Sequence, residues 1–212
     1  MKAMRQMTVG FGIGRRGGFT LIELLVVIAV IAILAGLLMS GLVAGGRQKL
    51  KGRIQGQLNE IETAISEYQA KRGSYPPSTT NTLDRPTLYY ELVGAVFDNP
   101  TKSYKLLNGE ADLPIGALAA FGVDGIQNAG LTKGETENFY RNLRPNGHST
   151  LPGSSPPVQV LSVPIRSDDP FDPQHIIWHY NSQNPTNNPG KFDLWVEWRE
   201  KDHVEVIGNF KR

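Results

Sequence analysis

Glu23 puts a carboxylate at the mouth of a run that is otherwise without charge. Leu24 to Met39 contains no polar side chain, and after Ser40 and Gly41 the apolar residues resume to Ala44. An ionised carboxylate at membrane depth costs a few kcal/mol unless it meets a cation, so the chemistry this position implies is charge pairing with a partner. The alternative is an interfacial position, where the positive end of a helix dipole favours it. Directly ahead stand Arg15-Arg16 and Gly17-Gly18-Phe19-Thr20-Leu21-Ile22. The other chemistry-bearing spacings are weaker. His175 and His179 would share one face of a helix for zinc, but Ile176-Ile177-Trp178 between them favours a strand, on which four residues span roughly 13 Å, too far for one ion. Asp112 and Asp124-Gly125 lack the spaced oxygens of a calcium loop. The chain has no cysteine and no Gly-x-Ser-x-Gly or phosphate-binding Gly-Lys-Thr element, so a structural protein is expected rather than an enzyme.

The elements that position these groups follow from hydrophobic period. The apolar run spans about 21 residues, roughly 31 Å as helix, against a hydrocarbon core of about 30 Å. Ala44-Gly45-Gly46 before Arg47 imitates a signal cleavage site, but a secretory signal has a shorter apolar region. Arg15 and Arg16 flank one end and Arg47, Lys49, Lys51 and Arg53 the other, so charge alone sets no orientation. Beyond the run, Leu50, Ile54, Leu58, Ile61, Ile65 and Tyr68 recur every three or four residues. That stripe predicts an amphipathic helix to about Lys71 or Arg72, stopped by Gly73 and followed by Pro76-Pro77. It covers only about three heptads, short for a coiled coil. Residues 78–157 are rich in Gly, Pro, Asn and Ser without a repeat, with weak helices expected over 87–97 and 135–143. Strands are predicted over 158–163, 176–180, 192–198 and 203–207. In the third, Phe192, Leu194, Val196 and Trp198 alternate with Asp193, Trp195 and Glu197, giving an apolar face that can cover the helix.

Gly18 to Leu38 resembles the class III signal of type IV prepilins and type II secretion pseudopilins: a short basic leader ending in Gly, then Phe, with Glu as the fifth residue of the processed chain. The resemblance implies that a prepilin peptidase cuts between Gly18 and Phe19 on the cytoplasmic side and methylates the new Phe19 amine. It also implies that the apolar helix is retained. Glu23 then neutralises the Phe19 ammonium of a neighbouring subunit when helices stack in a filament. Gly18, lacking a Cβ, lets the chain lie close to a protease backbone. Removing the leader takes away Lys2, Arg5, Arg15 and Arg16 and no acid, moving the formal net charge from +2 to −2. The basic balance thus belongs in part to the leader and leaves no nucleic-acid footprint.

Tyr75-Pro76-Pro77 is similar to the Tyr-Pro turn after the pseudopilin helix. Asp169-Pro170-Phe171, Trp178-His179-Tyr180, Phe192-Asp193-Leu194-Trp195 and Ile207-Gly208-Asn209-Phe210 follow the order of the Asp-Pro-Trp, Tyr-x-Tyr, Phe-Asp-Leu-Tyr and Ile-Gly-Asn-Trp elements of the major pseudopilin. In that family the loop after Phe-Asp-Leu binds calcium. Here Glu197, Glu200 and Asp202 offer oxygens, but Arg199 and Lys201 stand among them, and a charged turn between strands is the plainer reading.

The resulting expectation is an α+β, pilin-like fold: a long N-terminal helix, transmembrane in its first half and amphipathic in its second, packed on a small C-terminal antiparallel sheet. Residues 1–18 are the leader, 19–46 the membrane helix and filament core, 47–72 the amphipathic helix, 73–157 a variable insert and 158–212 the sheet. The expected role is a pseudopilus subunit of a type II secretion-like system, held by one pass through the inner membrane with its C-terminal region outside the cytoplasm. The alternatives are a type IV pilin and an anchored binding module that never polymerises. Partners implied are the prepilin peptidase, other copies, minor pseudopilins and an inner-membrane assembly platform.

Overall fold

The computed structural model describes residues 20–79, 83, 86–110, 112–163, 176–200 and 203–210. The chain falls into two units, Met1–Arg47 and Gln48–Arg212. Helix α1 runs from Leu21 to Arg72 and ends, as its pattern predicts, at Gly73, whose φ is +78°. In the first unit its large apolar residues from Leu21 to Leu34 are 49 to 83% exposed. A helix apolar on every side suits lipid or other such helices better than water. Among the described residues no helix is long and apolar enough to cross a membrane; the described side chains of this run end at Gly36.

In the second unit the predicted stripe is the core of the fold. Leu50, Ile54, Leu58, Ile61, Ile65 and Tyr68 are all essentially inaccessible. They belong to one buried cluster with Val160, Leu161, Trp178, Tyr180, Leu194, Val196 and Trp198. Those partners come from β6 (Gln159–Leu161), β7 (His179–Asn181) with Trp178 just before it, and β8 (Asp193–Glu200); β5 (His148–Thr150) and β9 (His203–Gly208) complete the strands of this region. β5 pairs with β6, and β7, β8 and β9 form a second antiparallel sheet in that order. A bridge between Ser162 and Ile177 and the bond from Trp178 N–H to Leu161 O join the two. Gln57, buried on α1, pins helix to strands: its amide nitrogen donates to Ser162 O at 2.9 Å, and its carbonyl accepts the Trp178 indole N–H at 2.9 Å. The architecture is α+β, a long N-terminal helix followed by a small antiparallel sheet, consistent with a pilin-like fold.

The segment between helix and sheet departs from the expected weak helices. Its first helix is only α2 (Leu88–Val93). Gly94 has φ +76°, and a Cβ there would lie 2.6 Å from Glu137 O, so the chain leaves the helix at a position open only to glycine. Val96 and Phe97, expected as helix, instead lie in β1 (Ala95–Asp98). With β2 (Ser103–Leu106), β3 (Leu113–Pro114) and β4 (Ala129–Gly130) it makes a sheet of order β3-β2-β1-β4, in which β4 runs parallel to β1. The expected helix over 135–143 is replaced by a 3-10 turn at Lys133–Glu135 and irregular chain. There Phe139 and Tyr140 both donate N–H to Leu92 O at the end of α2, and the Phe139 ring meets Tyr68 at 5.2 Å. Bonds to a helix end replace bonds within a helix.

Glu91 on α2 ties this segment to α1. It is fully buried and accepts the Gln127 and Asn128 N–H groups at 2.8 Å each and the Tyr68 hydroxyl at 3.2 Å. Burial holds its carboxyl above the ordinary range, against the opposing pull of those donors and of the Arg72 charge.

Candidate functional site

The first turn of α1 gives Glu23 a partner within its own chain. Glu23 Oε2 accepts the Thr20 backbone N–H at 2.8 Å and the Thr20 hydroxyl at 2.7 Å, while Thr20 Oγ1 accepts the Glu23 N–H at 3.3 Å. This is a reciprocal capping box, which satisfies donors that a helix start otherwise leaves open. Thr20-Leu21-Ile22-Glu23 has the spacing that announces such a box in sequence, a signal that reading Glu23 only as a charge in an apolar run passes over. The carboxylate sits at the positive end of the helix dipole, and its donor Thr20 directly follows Phe19 in the chain. Gly18 and Phe19 lie outside the described residues.

Residues 13–39 match the model of the prokaryotic N-terminal methylation motif. The motif indicates a type IV pilin-like or pseudopilin-type subunit, a class whose members are structural subunits, and suggests membrane anchoring. It implies processing by a prepilin peptidase and assembly with other pilin subunits. No curated protein and no solved structure shows significant similarity to the chain.

Two of the C-terminal elements singled out in the sequence, those at 192–195 and 207–210, meet in space; Asp169-Pro170-Phe171 lies outside the described residues. Asp193, buried at the start of β8, gathers the loop before it. Its Oδ2 accepts the N–H groups of Thr186 at 2.8 Å and Asn187 at 2.9 Å, and its Oδ1 accepts that of Asn188 at 2.8 Å. Burial raises the Asp193 pKa, but the donors from Asn187, Asn188 and Thr186 outweigh it and hold the carboxyl below the usual range. Asn209 completes the lock: its Oδ1 accepts Leu194 N–H at 2.9 Å and its Nδ2 donates to Phe192 O at 3.0 Å. Gly208 must be small, since a Cβ there would come within 2.6 Å of Leu194 O. Phe192-Asp193-Leu194-Trp195 and Ile207-Gly208-Asn209-Phe210 are thus two halves of one hydrogen-bonded joint.

The acidic positions considered for calcium are not drawn into a site by what is described. Glu197 is exposed on β8, opposite Val206 of β9. The side chain of Glu200 and all of Asp202 lie outside the described residues. Among the described residues no three of His, Asp and Glu cluster as metal ligands. Asp193, the carboxylate of the Phe-Asp-Leu element itself, faces N–H donors, the opposite of the oxygen cage a cation requires. His179 lies on β7, its ring stacked on Trp195 with centroids 5.2 Å apart and planes 12° apart; His175 lies outside the described residues.

Proposed function

We propose that this chain is a structural subunit of a pseudopilus in a type II secretion-like system. The prepilin peptidase cuts between Gly18 and Phe19 and methylates Phe19. Residues 19–46 then hold the subunit in the inner membrane by a single pass, with the C-terminal region outside the cytoplasm. Helix stacking polymerises it with other copies and with minor pseudopilins on an inner-membrane platform, and Glu23 neutralises the Phe19 ammonium of its neighbour. The observation that carries this reading is the methylation motif over residues 13–39 at the head of a helix whose apolar surface is exposed. Support for a pseudopilus over a type IV pilus comes from the ordered C-terminal elements, whose Asp193 and Asn209 hold one joint together.

Mass spectrometry of the membrane-extracted chain is expected to find a start at methylated Phe19; an intact Met1 or a start after Gly46 overturns the processing model. Deleting the gene is expected to trap a secreted protein in the periplasm while surface filaments persist. Loss of surface filaments with secretion intact would assign a type IV pilin instead.

A further inference from the structure

We infer that His148 and Glu110 form a proton-operated clasp that closes the chain after β2 onto the paired strands β5 and β6, and that it holds tighter when the imidazole is charged. His148 stands on β5 with its side chain only 11% exposed and both ring nitrogens directed at oxygen. Nε2 meets the Glu110 carboxylate at 3.0 Å to Oε1 and 2.9 Å to Oε2. Nδ1 meets Gln159 Oε1, on β6, at 3.3 Å. A neutral imidazole carries one N–H and cannot donate to both; the imidazolium can. Among the described residues the four-stranded sheet and the β5–β6 pair share no strand pairing, so the clasp ties together what the ladders leave separate.

Each partner is held from a different element. Tyr89 on α2 donates its hydroxyl to Glu110 Oε2 at 2.9 Å and sets its ring against the imidazole, with centroids 5.0 Å apart. Burial holds the Tyr89 phenol above its ordinary range, so it remains a donor wherever histidine titrates. Asn108 donates Nδ2 to the Tyr89 hydroxyl at 3.1 Å and accepts the Glu110 N–H at 3.2 Å, fixing the turn that presents the carboxylate. Gln159 Nε2 donates to Thr150 Oγ1 at 3.0 Å, which turns its Oε1 toward the ring. Glu110 and Tyr89 are the titratable groups that face His148 among the described residues.

When the second proton leaves, the remaining N–H stays with the carboxylate, the stronger acceptor, and Nδ1 turns a lone pair toward Gln159 Oε1. A half-turn of the Gln159 amide then restores that bond, with the Thr150 hydroxyl as donor. The ion pair to Glu110 is lost in the exchange. The clasp is therefore tightest while Glu110 is ionised and His148 charged, and it slackens as pH rises through about 5 to 8, where histidine changes charge.

Nitrogen NMR of the full, processed chain in detergent, with labelled histidine and His148→Gln to identify the signal, tests this. Both ring nitrogens are expected to be protonated at about pH 5.5 and Nε2 alone at about pH 8. Gln159→Glu, which sets a second carboxylate on Nδ1, is expected to keep both protonated at the higher pH. Hydrogen exchange over residues 107–110, corrected for its intrinsic pH dependence, is expected to quicken about threefold between the two pH values in the parent. In His148→Gln and Glu110→Gln that quickening is expected to vanish. A ring in one protonation state at both pH values, protonation indifferent to Gln159→Glu, or quickening that persists in His148→Gln would each overturn the clasp. Both readouts on Gln159→Glu, which keeps the imidazole and Glu110, decide the matter should the other variants fail to fold.

Discussion

At the scale of the residue, Glu23 has two partners to serve. Within the subunit it caps α1 through Thr20; in the proposed filament it pairs with a neighbour's Phe19 amine. Substitution separates the two. Glu23→Ala removes both, leaving the Thr20 N–H without its side-chain acceptor at the helix start. Glu23→Gln keeps an oxygen for the cap, since a capping box accepts either residue, but loses the charge. Both variants are expected to remain processed and membrane-inserted, and both are expected to fail to enter filaments, as read by shearing and pelleting. Filaments from Glu23→Gln alone would show that capping suffices and that the charge does not pair. Normal filaments from both would leave the carboxylate no part in assembly.

At the scale of the element, the joint between β8 and β9 shows what hydrogen bonding adds to pattern. Three backbone N–H groups converge on Asp193. Replacing its carboxylate by an amide turns an N–H₂ toward donors, so Asp193→Asn is expected to cost about 1.5–3 kcal/mol at neutral pH. Because the folded pKa lies below the ordinary value, the stabilisation is complete above the unfolded pKa of about 3.9 and is lost as pH falls through the folded value. The difference in urea midpoint between parent and variant is therefore expected to be constant from pH 7 to about 5 and to shrink in more acid solution. A gap that widens on acidification would contradict the cradle. Legibility in the sequence follows the same line. The α1 stripe and the alternation in β8 could be read because burial imposes a period on a long element. β1 to β4, two to four residues each, are too short to show a period, and Gly94 ends α2 for a reason visible only once Glu137 is in place. The capping box was written in Thr20-x-x-Glu23, whereas the Asp193 cradle gathers residues 186–188 of an irregular loop, whose spacing from Asp193 follows no helix or strand period.

At the scale of the whole molecule, the two units present different surfaces. The first shows lipid-like surface along Leu21 to Leu34. The second carries its own core, from Leu50 on α1 to Trp198 on β8, with Gln57 and Glu91 as buried polar ties whose partners all lie within it. Among the described residues the buried core begins at Leu50, so a unit that starts at Gln48 keeps all of it. A chain beginning at Gln48 is thus expected to be a monomer on size exclusion without detergent and to unfold in one cooperative transition with a sigmoidal urea curve. The full chain is expected to need detergent or lipid to stay dispersed. If the shortened chain instead shows no cooperative transition, the soluble unit draws its stability from the helix before it, and the apolar segment acts as part of the fold as well as its anchor.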